Sequence, residues 1–380
     1  MAGQQRNSRI IRTSQPDYWL IVSIFFLLCV GTVMVFSSST VSSYLMKDSD
    51  SYTLLRNQII YAGLGVIIMF LASFVSYKLI ERMSVAIYVI SVALLGLVLL
   101  IGMNLNNARR WIKIGPVSFQ PSEIAKFGMI VFLAYILSNE YTKKIVDKWW
   151  GFIVYILPLG VAFFLLYKEP HVSCIVIIIL IAVIMMFIGG VKPRVFLILG
   201  ALGVAGVVLM YFTVPHVQTR LNSFLGIGDT AEVSSSAEYQ ITQSLYAIGS
   251  GGFAGRGLGK SVQKYQYLPE AYNDFIFSIL AEELGFIGVI LVLALFGILI
   301  WRGCKIASYA PDKFSCLLAT GITSLIAVQT IMNVAVATKL MPVTGVALPF
   351  FSYGGTSLCI IMAEMGVLLG ISKKTAYDKF

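Results

Sequence analysis

The sequence predicts an all-α polytopic membrane protein with about ten transmembrane helices and one long extracytoplasmic loop between spans 7 and 8. Three observations carry that fold class. Of 380 residues, 58% are hydrophobic and 12% charged, with a mean hydropathy of +0.85, so a soluble domain of this size would lack the polar side chains to cover its surface. Apolar runs long enough to cross about 30 Å of hydrocarbon as a helix fall near 18–37, 58–76, 84–103, 122–138, 149–167, 172–190, 194–212, 276–301, 314–337 and 355–372. Basic residues then alternate with the runs: with the N-terminus inside, the cytoplasmic segments carry Arg6, Arg9, Arg12, Lys78, Arg82, Lys143, Lys144, Lys148, Lys192, Arg194, Arg302, Lys305, Lys313, Lys373, Lys374 and Lys379. This matches the bias of Lys and Arg towards cytoplasmic loops and puts both termini in the cytoplasm.

The layout expected is a basic tail over 1–17, one membrane domain over 18–372 with its large outer loop at 213–275, and a second basic tail over 373–380. The net charge of +10 would suggest nucleic acid in a soluble protein; here the loops account for it, and no nucleic-acid partner is expected. Cys29, Cys174, Cys304, Cys316 and Cys359 lie in or beside apolar runs, with no CxxC spacing, which argues against a disulfide framework and a zinc site. Span 1 is too long for a signal h-region and is read as retained.

The outer loop after span 3 breaks the charge rule with Arg109, Arg110 and Lys113. They either meet anionic lipid headgroups or bind a phosphate-bearing substrate, for which the Arg fork is suited. Span 4 opens Gln120-Pro121-Ser122-Glu123, a helix start with Ser122 as a plausible cap. Glu123 and Lys126 then share a helical face, as a functional pair inside the span or as an ion pair holding register.

Within the long loop, residues 239–249 have helical apolar spacing and predict a short interfacial helix. The glycine-rich run from Gly249 to Gly259, with Arg256, Lys260 and Lys264 interleaved, reads equally as an anion cradle or as a hinge. Asp274 stands where the loop enters span 8, as a helix cap or as a functional carboxylate. Glu282 and Glu283 lie two turns further and suggest a polar cavity. The last outer segment, 340–356, holds two prolines and three glycines and predicts a re-entrant loop, since irregular backbone at membrane depth needs protein or a wet cavity around it.

Taken together, Arg110-Trp111-Ile112, Gln120 to Glu123 with Lys126, Gln240, Gln243-Ser244-Leu245, Gly257-Leu258-Gly259, Gln263-Lys264, Tyr267-Leu268-Pro269-Glu270, Asp274-Phe275-Ile276-Phe277, Glu282 to Gly285, Asn333, Pro342 to Gly345 and Leu348-Pro349-Phe350 with Ser352 to Gly355 resemble the SEDS family (shape, elongation, division and sporulation), nearer its FtsW and SpoVE branch than RodA. The resemblance implies a ten-span enzyme that polymerises peptidoglycan from lipid II at the outer face of the cytoplasmic membrane. It further implies Asp274 as general base and Arg110, Lys113, Glu123, Lys126, Arg220, Gln243, Arg256, Lys264, Glu270 and Ser352 as substrate-binding residues. Implied partners are a class B penicillin-binding protein transpeptidase and other division or sporulation membrane proteins. A divalent cation, Mg2+ or Mn2+, could bridge the pyrophosphate, although no carboxylate cluster has metal spacing. Two positions depart from the family pattern: Tyr272-Asn273 precedes the aspartate, and Lys168-Glu169-Pro170-His171 carries His171 where an acidic residue is usual. Two rival readings are a flippase for the lipid-linked precursor, which would also need many spans and intramembrane charge, and a non-catalytic scaffold for a transpeptidase.

Overall fold

The computed structural model describes residues 15–46, 52–105, 108–115, 117–140, 142, 151–225 and 234–375. Its helices are α1 (Tyr18–Met46), α2 (Thr53–Ala72), α3 (Tyr77–Ile101), α4 (Pro121–Ser138), α5 (Ile153–Lys168), α6 (Val172–Gly189), α7 (Pro193–Thr213), α8 (Pro215–Leu225), α9 (Ser234–Gly251), α10 (Ile276–Ser308), α11 (Lys313–Ala337) and α12 (Gly355–Ser372). Among the described residues, 9 helices are long and apolar enough to cross a membrane, and the chain is an integral membrane protein. Helix α5 has 16 residues, about 24 Å at 1.5 Å per residue, so it falls short of that length. The span expected at 149–167 begins in residues outside those described, as do Arg6, Arg9, Arg12, Lys143, Lys144, Lys148 and Lys379 of the charge pattern.

Helix α11 is the centre of the bundle, buried along most of its length against α4, α6 and α10. Helices α2, α3 and α7 instead turn apolar side chains such as Phe70, Val89 and Leu197 outward, as a helix facing lipid does. At one end of the bundle, Arg302 of α10 forks onto Asp17 at 2.6 and 3.0 Å, and Asp17 also caps α1 by accepting from the N–H of Leu20 at 3.1 Å.

The other end is irregular. Helices are not the whole fold: the loop after α3 forms an antiparallel sheet of β1 (Met103–Leu105), β2 (Ala108–Ile114) and β3 (Val117–Phe119) in that order. Alternation explains it, with Ile112 buried and its neighbour Lys113 exposed, the period-2 pattern of a strand. The predicted helix at 239–249 is present within α9, which is longer at both ends.

Helix α10 breaks at Gly285, whose φ of 66° and ψ of −168° lie in a region open only to glycine. A break inside a span frees backbone groups that lipid cannot satisfy, and here the glycine-rich loop satisfies them. Arg256 and Gly257 donate their N–H groups to the carbonyls of Glu282 and Glu283 at 3.0 Å each, while Phe286 and Ile287 donate theirs to Gly252 and Phe253 at 2.9 and 3.2 Å. The Glu282 carboxylate accepts from the N–H of Val262 at 2.9 Å and from the Ser261 hydroxyl. Glu283 accepts from Ser37 at 2.6 Å and pairs with Lys264 at 3.2 Å. These two glutamates therefore clamp the loop onto α10 and α1 instead of lining a cavity, and the N–H groups of Arg256 and Gly257 are engaged with α10 instead of cradling an anion.

A Cβ at Gly285 would sit 2.2 Å from the backbone nitrogen of Gly255. Gly285→Ala should cost about 2 kcal/mol or more in backbone strain alone, seen as a lower melting temperature of the detergent-solubilised protein; a surface control such as Leu197→Ala should melt like the wild type.

Candidate active site

A cavity of about 220 Å³ opens among the irregular segments, with Arg110, Glu123, Lys126, His171, Asp274, Gln329 and Ser352 in its walls. Each reaches it for a local reason. Strand β2 turns Arg110 inward, where it donates to the carbonyls of Glu169 (3.2 Å) and Pro170. Helix α4 starts with Pro121 in its first turn, and its cap residue is Gln120, with no side-chain cap; the expected capping role of Ser122 is not found, because Ser122 already lies inside the helix. Glu123 and Lys126 come one turn apart and pair at 2.8 Å.

Asp274 stands just before α10, but the cap position is Phe275, and no side chain caps the helix. The capping explanation for Asp274 therefore falls away. Its position is set by its backbone instead: the carbonyl of Asp274 accepts from the Asn333 side-chain amide at 2.8 Å, and the same amide donates to the carbonyl of Val346 at 2.7 Å. Ser352 donates to the carbonyl of Asn273 at 2.8 Å and accepts from the N–H of Leu348 at 2.7 Å, and the N–H of Tyr353 donates to the carbonyl of Tyr272 at 3.0 Å. The segment 340–354 is thus irregular, as expected, and packs directly on the Asp274 loop. Gly345, with φ of 69°, lets it approach so closely that a Cβ there would lie 3.2 Å from Oδ2 of Asp274.

Burial, and then the charge of Glu270, push the Asp274 carboxyl up to about 6, against the opposing pull of Arg220 and Arg110. Burial lowers Arg110 and Arg220 from their usual values. Glu169 is fully buried with both carboxylate oxygens unpartnered, and burial raises it to about 8 despite Arg110.

The expected site residues divide accordingly. Arg110, Glu123, Lys126, Asp274 and Ser352 meet in one cavity. Arg220, on α8, acts on Asp274 through its charge without standing in the wall. Lys113 is exposed, Gln243 is half-buried on α9, and Arg256 faces Glu282 at 3.5 Å. Lys264 is buried against Glu283, and Glu270 is exposed, accepting from the Asn273 amide at 2.7 Å. None of these five lines the cavity. Reasoning from sequence missed Gln329 in the wall and Glu364 of α12, which is buried with both oxygens unpartnered and feels the charges of Lys126 and Glu123. Polar side chains inside apolar spans were the signal that could have found them. Among the described residues, no group of three or more His, Cys, Asp or Glu could hold a metal ion.

The FtsW/RodA/SpoVE family, described as a cell cycle protein family, matches residues 18–377. Stage V sporulation protein E of Bacillus subtilis is 41% identical over 369 residues, covering 96% of this chain and 99% of that protein. A probable peptidoglycan glycosyltransferase FtsW from a Geobacter species is 38% identical over 365 residues, covering 96% and 98%. Among solved structures, a chain of a peptidoglycan synthase complex described as coordinating polymerization and crosslinking aligns with a TM-score of 0.79 at 27% identity, over 96% of this chain and 99% of that one. The rod shape determining protein RodA of Thermus thermophilus aligns with a TM-score of 0.70 at 28% identity, over 96% and 98%.

Glu123→Leu leaves Lys126, at 3% exposure, without its ion-pair partner, a change that costs about 3–5 kcal/mol for a buried pair. The single variant should melt well below the wild type, and Glu123→Leu with Lys126→Met should recover most of the loss in the same thermal measurement.

Proposed function

We propose, from the premise that this chain belongs to the FtsW/RodA/SpoVE family and is a peptidoglycan glycosyltransferase, that it joins lipid II units into glycan strands with Asp274 as the general base. The observation that carries this reading is one carboxylate with a raised pKa sharing a cavity with Arg110 and Lys126. In the reaction, Asp274 takes the proton of the acceptor GlcNAc 4-hydroxyl as that oxygen attacks the anomeric carbon of the donor MurNAc. The bond from that carbon to the diphosphate breaks, and undecaprenyl pyrophosphate leaves. A positioned base contributes about 10²–10⁴-fold. Arg110 and Lys126 oppose the charge that gathers on the leaving diphosphate, an effect strengthened where water is scarce. Glu123 holds Lys126, and Ser352 holds the backbone beside the base. Arg220 supports the ionised form of Asp274. Lys113, Gln243, Arg256 and Glu270 are assigned to the approach of the sugar and peptide parts, outside the chemical centre, whereas Lys264, buried against Glu283, anchors the glycine-rich loop.

The lipid tails enter from the bilayer, which accounts for an enzyme built within it. The cavity end is assigned to the outer face and both termini to the cytoplasm, on the distribution of Lys and Arg. A class B penicillin-binding protein is the proposed partner, supported by the likeness to a chain of a complex that coordinates polymerization and crosslinking.

Asp274→Asn should lower polymerisation of lipid II by purified protein at least 10²-fold while membrane insertion and melting temperature hold; strand synthesis at the wild-type rate would remove the base from the mechanism. A base must be unprotonated to accept a proton. With the carboxyl near 6, kcat/KM should therefore be on a plateau above about pH 7 and fall about tenfold per unit below about pH 6, measured as initial rates across pH 5–8.

A further inference from the structure

Arg110 reaches the cavity from strand β2, and what holds its guanidinium is a pair of backbone carbonyls, those of Glu169 and Pro170 in the turn between α5 and α6. Carbonyls accept from a guanidinium without cancelling its charge, whereas a carboxylate that accepted from it would leave a neutral pair. Glu169 carries a carboxylate on the very residue that lends its carbonyl. The turn fixes where that side chain starts: the N–H of Glu169 donates to the carbonyl of Leu165 at 3.1 Å, and the N–H of His171 donates to the carbonyl of Leu166 at 3.0 Å.

The Glu169 side chain is outside the cavity wall and 0% exposed, and neither carboxylate oxygen has a hydrogen-bond partner among the described residues, although the charge of Arg110 reaches it. An ionised carboxylate held out of water without a bond to any donor is far costlier than a protonated one. A carboxyl that lies this near a cation and still makes no bond to it is therefore in the arrangement of a group that keeps its proton. We propose that Glu169 is a positioning residue for Arg110: while neutral it leaves the guanidinium on the two carbonyls with its charge intact, and on losing its proton it pairs with Arg110 and withdraws that charge from the cavity. The proposal rests on the polymerase reading and adds to it a residue that governs how much positive charge the leaving diphosphate meets. Other titratable groups face this corner. Arg220 of α8 and Asp274 act on Arg110, Cys174 of α6 lies near Arg110, Glu169, Lys126 and Glu123, and His171 stands in the same turn near Arg110 and Lys126. Glu169→Gln removes the one proton at issue and keeps all of them.

The test compares full-length wild type and Glu169→Gln in a lipid II polymerisation assay from about pH 6 to about pH 10. Burial places the Glu169 carboxyl at about 8, so wild-type kcat/KM should fall about tenfold or more above that pH, the loss of one charge-assisted hydrogen bond. Glu169→Gln, which has no proton to lose there, should hold its own plateau through the same range. Melting temperature gives a readout independent of activity. A carboxyl raised by folding binds its proton more tightly in the folded chain, so its contribution to stability is present below the ordinary carboxylate range and is lost as pH rises to about 8. The melting temperature of Glu169→Gln relative to wild type should climb from about pH 5 to about pH 8 and then level off. Should the Gln variant fold poorly, Glu169→Leu, which also lacks the proton, takes its place in both measurements. An alkaline fall of equal size in wild type and variant, or a melting difference that does not change with pH, would overturn the role. If the wild type makes no polymer, the polymerase reading fails instead, and the pH dependence of the melting difference still decides whether Glu169 keeps a buried proton.

Discussion

One amide on α11 holds both irregular segments of the cavity. Asn333 donates to the carbonyls of Asp274 and Val346, joining the loop that carries Asp274 to the irregular segment that packs on it. Non-helical backbone at membrane depth is tolerated only where its polar groups find partners in protein or water, and a carbonyl left without one costs about 1–3 kcal/mol. Asn333 is itself buried in the most enclosed helix of the bundle, so its anchor cannot drift. The position of the Asp274 carboxylate is consequently a property of α11, although Asp274 lies outside that helix.

The charges around Asp274 follow from that placement. Burial pushes the Asp274 carboxyl up, and Glu270 adds to the effect; Arg220 and Arg110 pull the other way. The balance near 6 lies close to neutral pH, as the proposed role of general base requires. Arg110 serves twice. Its guanidinium is fixed by the carbonyls at the end of α5, and from there its charge acts on both Asp274 and the buried Glu169.

Much of this was legible in residues 1–380, for identifiable reasons. Hydropathy marks spans because lipid imposes length and apolarity directly. The misplaced cations Arg110 and Lys126, the carboxylate Asp274 and the irregular 340–356 segment stood out because each violates what a span or an outer loop ordinarily contains. What could not be read depended on pairings distant in sequence. Nothing local in Gly285 announces that α10 breaks there, so Glu282 and Glu283 read as cavity carboxylates when they are anchors for residues 255–264. Lys264 was misjudged with them, since its partner Glu283 becomes visible only once the loop folds back. The sheet was hidden for a different reason: β2 alternates, but its partners β1 and β3 have three residues each, too short for alternation to separate them from loop. Gln329 was passed over because a lone amide in an apolar run carries no spacing to interpret.

The far end of the bundle bears on whether the cavity is a site or a passage. There Arg302 and Asp17 form a bidentate pair with side chains 4% and 0% exposed, tying α10 to the start of α1. Asp312 closes a capping box with Ser315 at the start of α11, and Lys313 reaches the carbonyl of Gly189 at the end of α6 at 3.1 Å. A carrier that moved a lipid headgroup across the membrane would have to open this end in every cycle, parting the buried Arg302–Asp17 pair each time. A polymerase needs the opposite, a rigid frame that keeps base, cations and covering segment within a few tenths of an ångström of a working arrangement. The bonds that close the far end and those that Asn333 makes at the near end serve that same rigidity, and this favours chemistry in the cavity over transport through it.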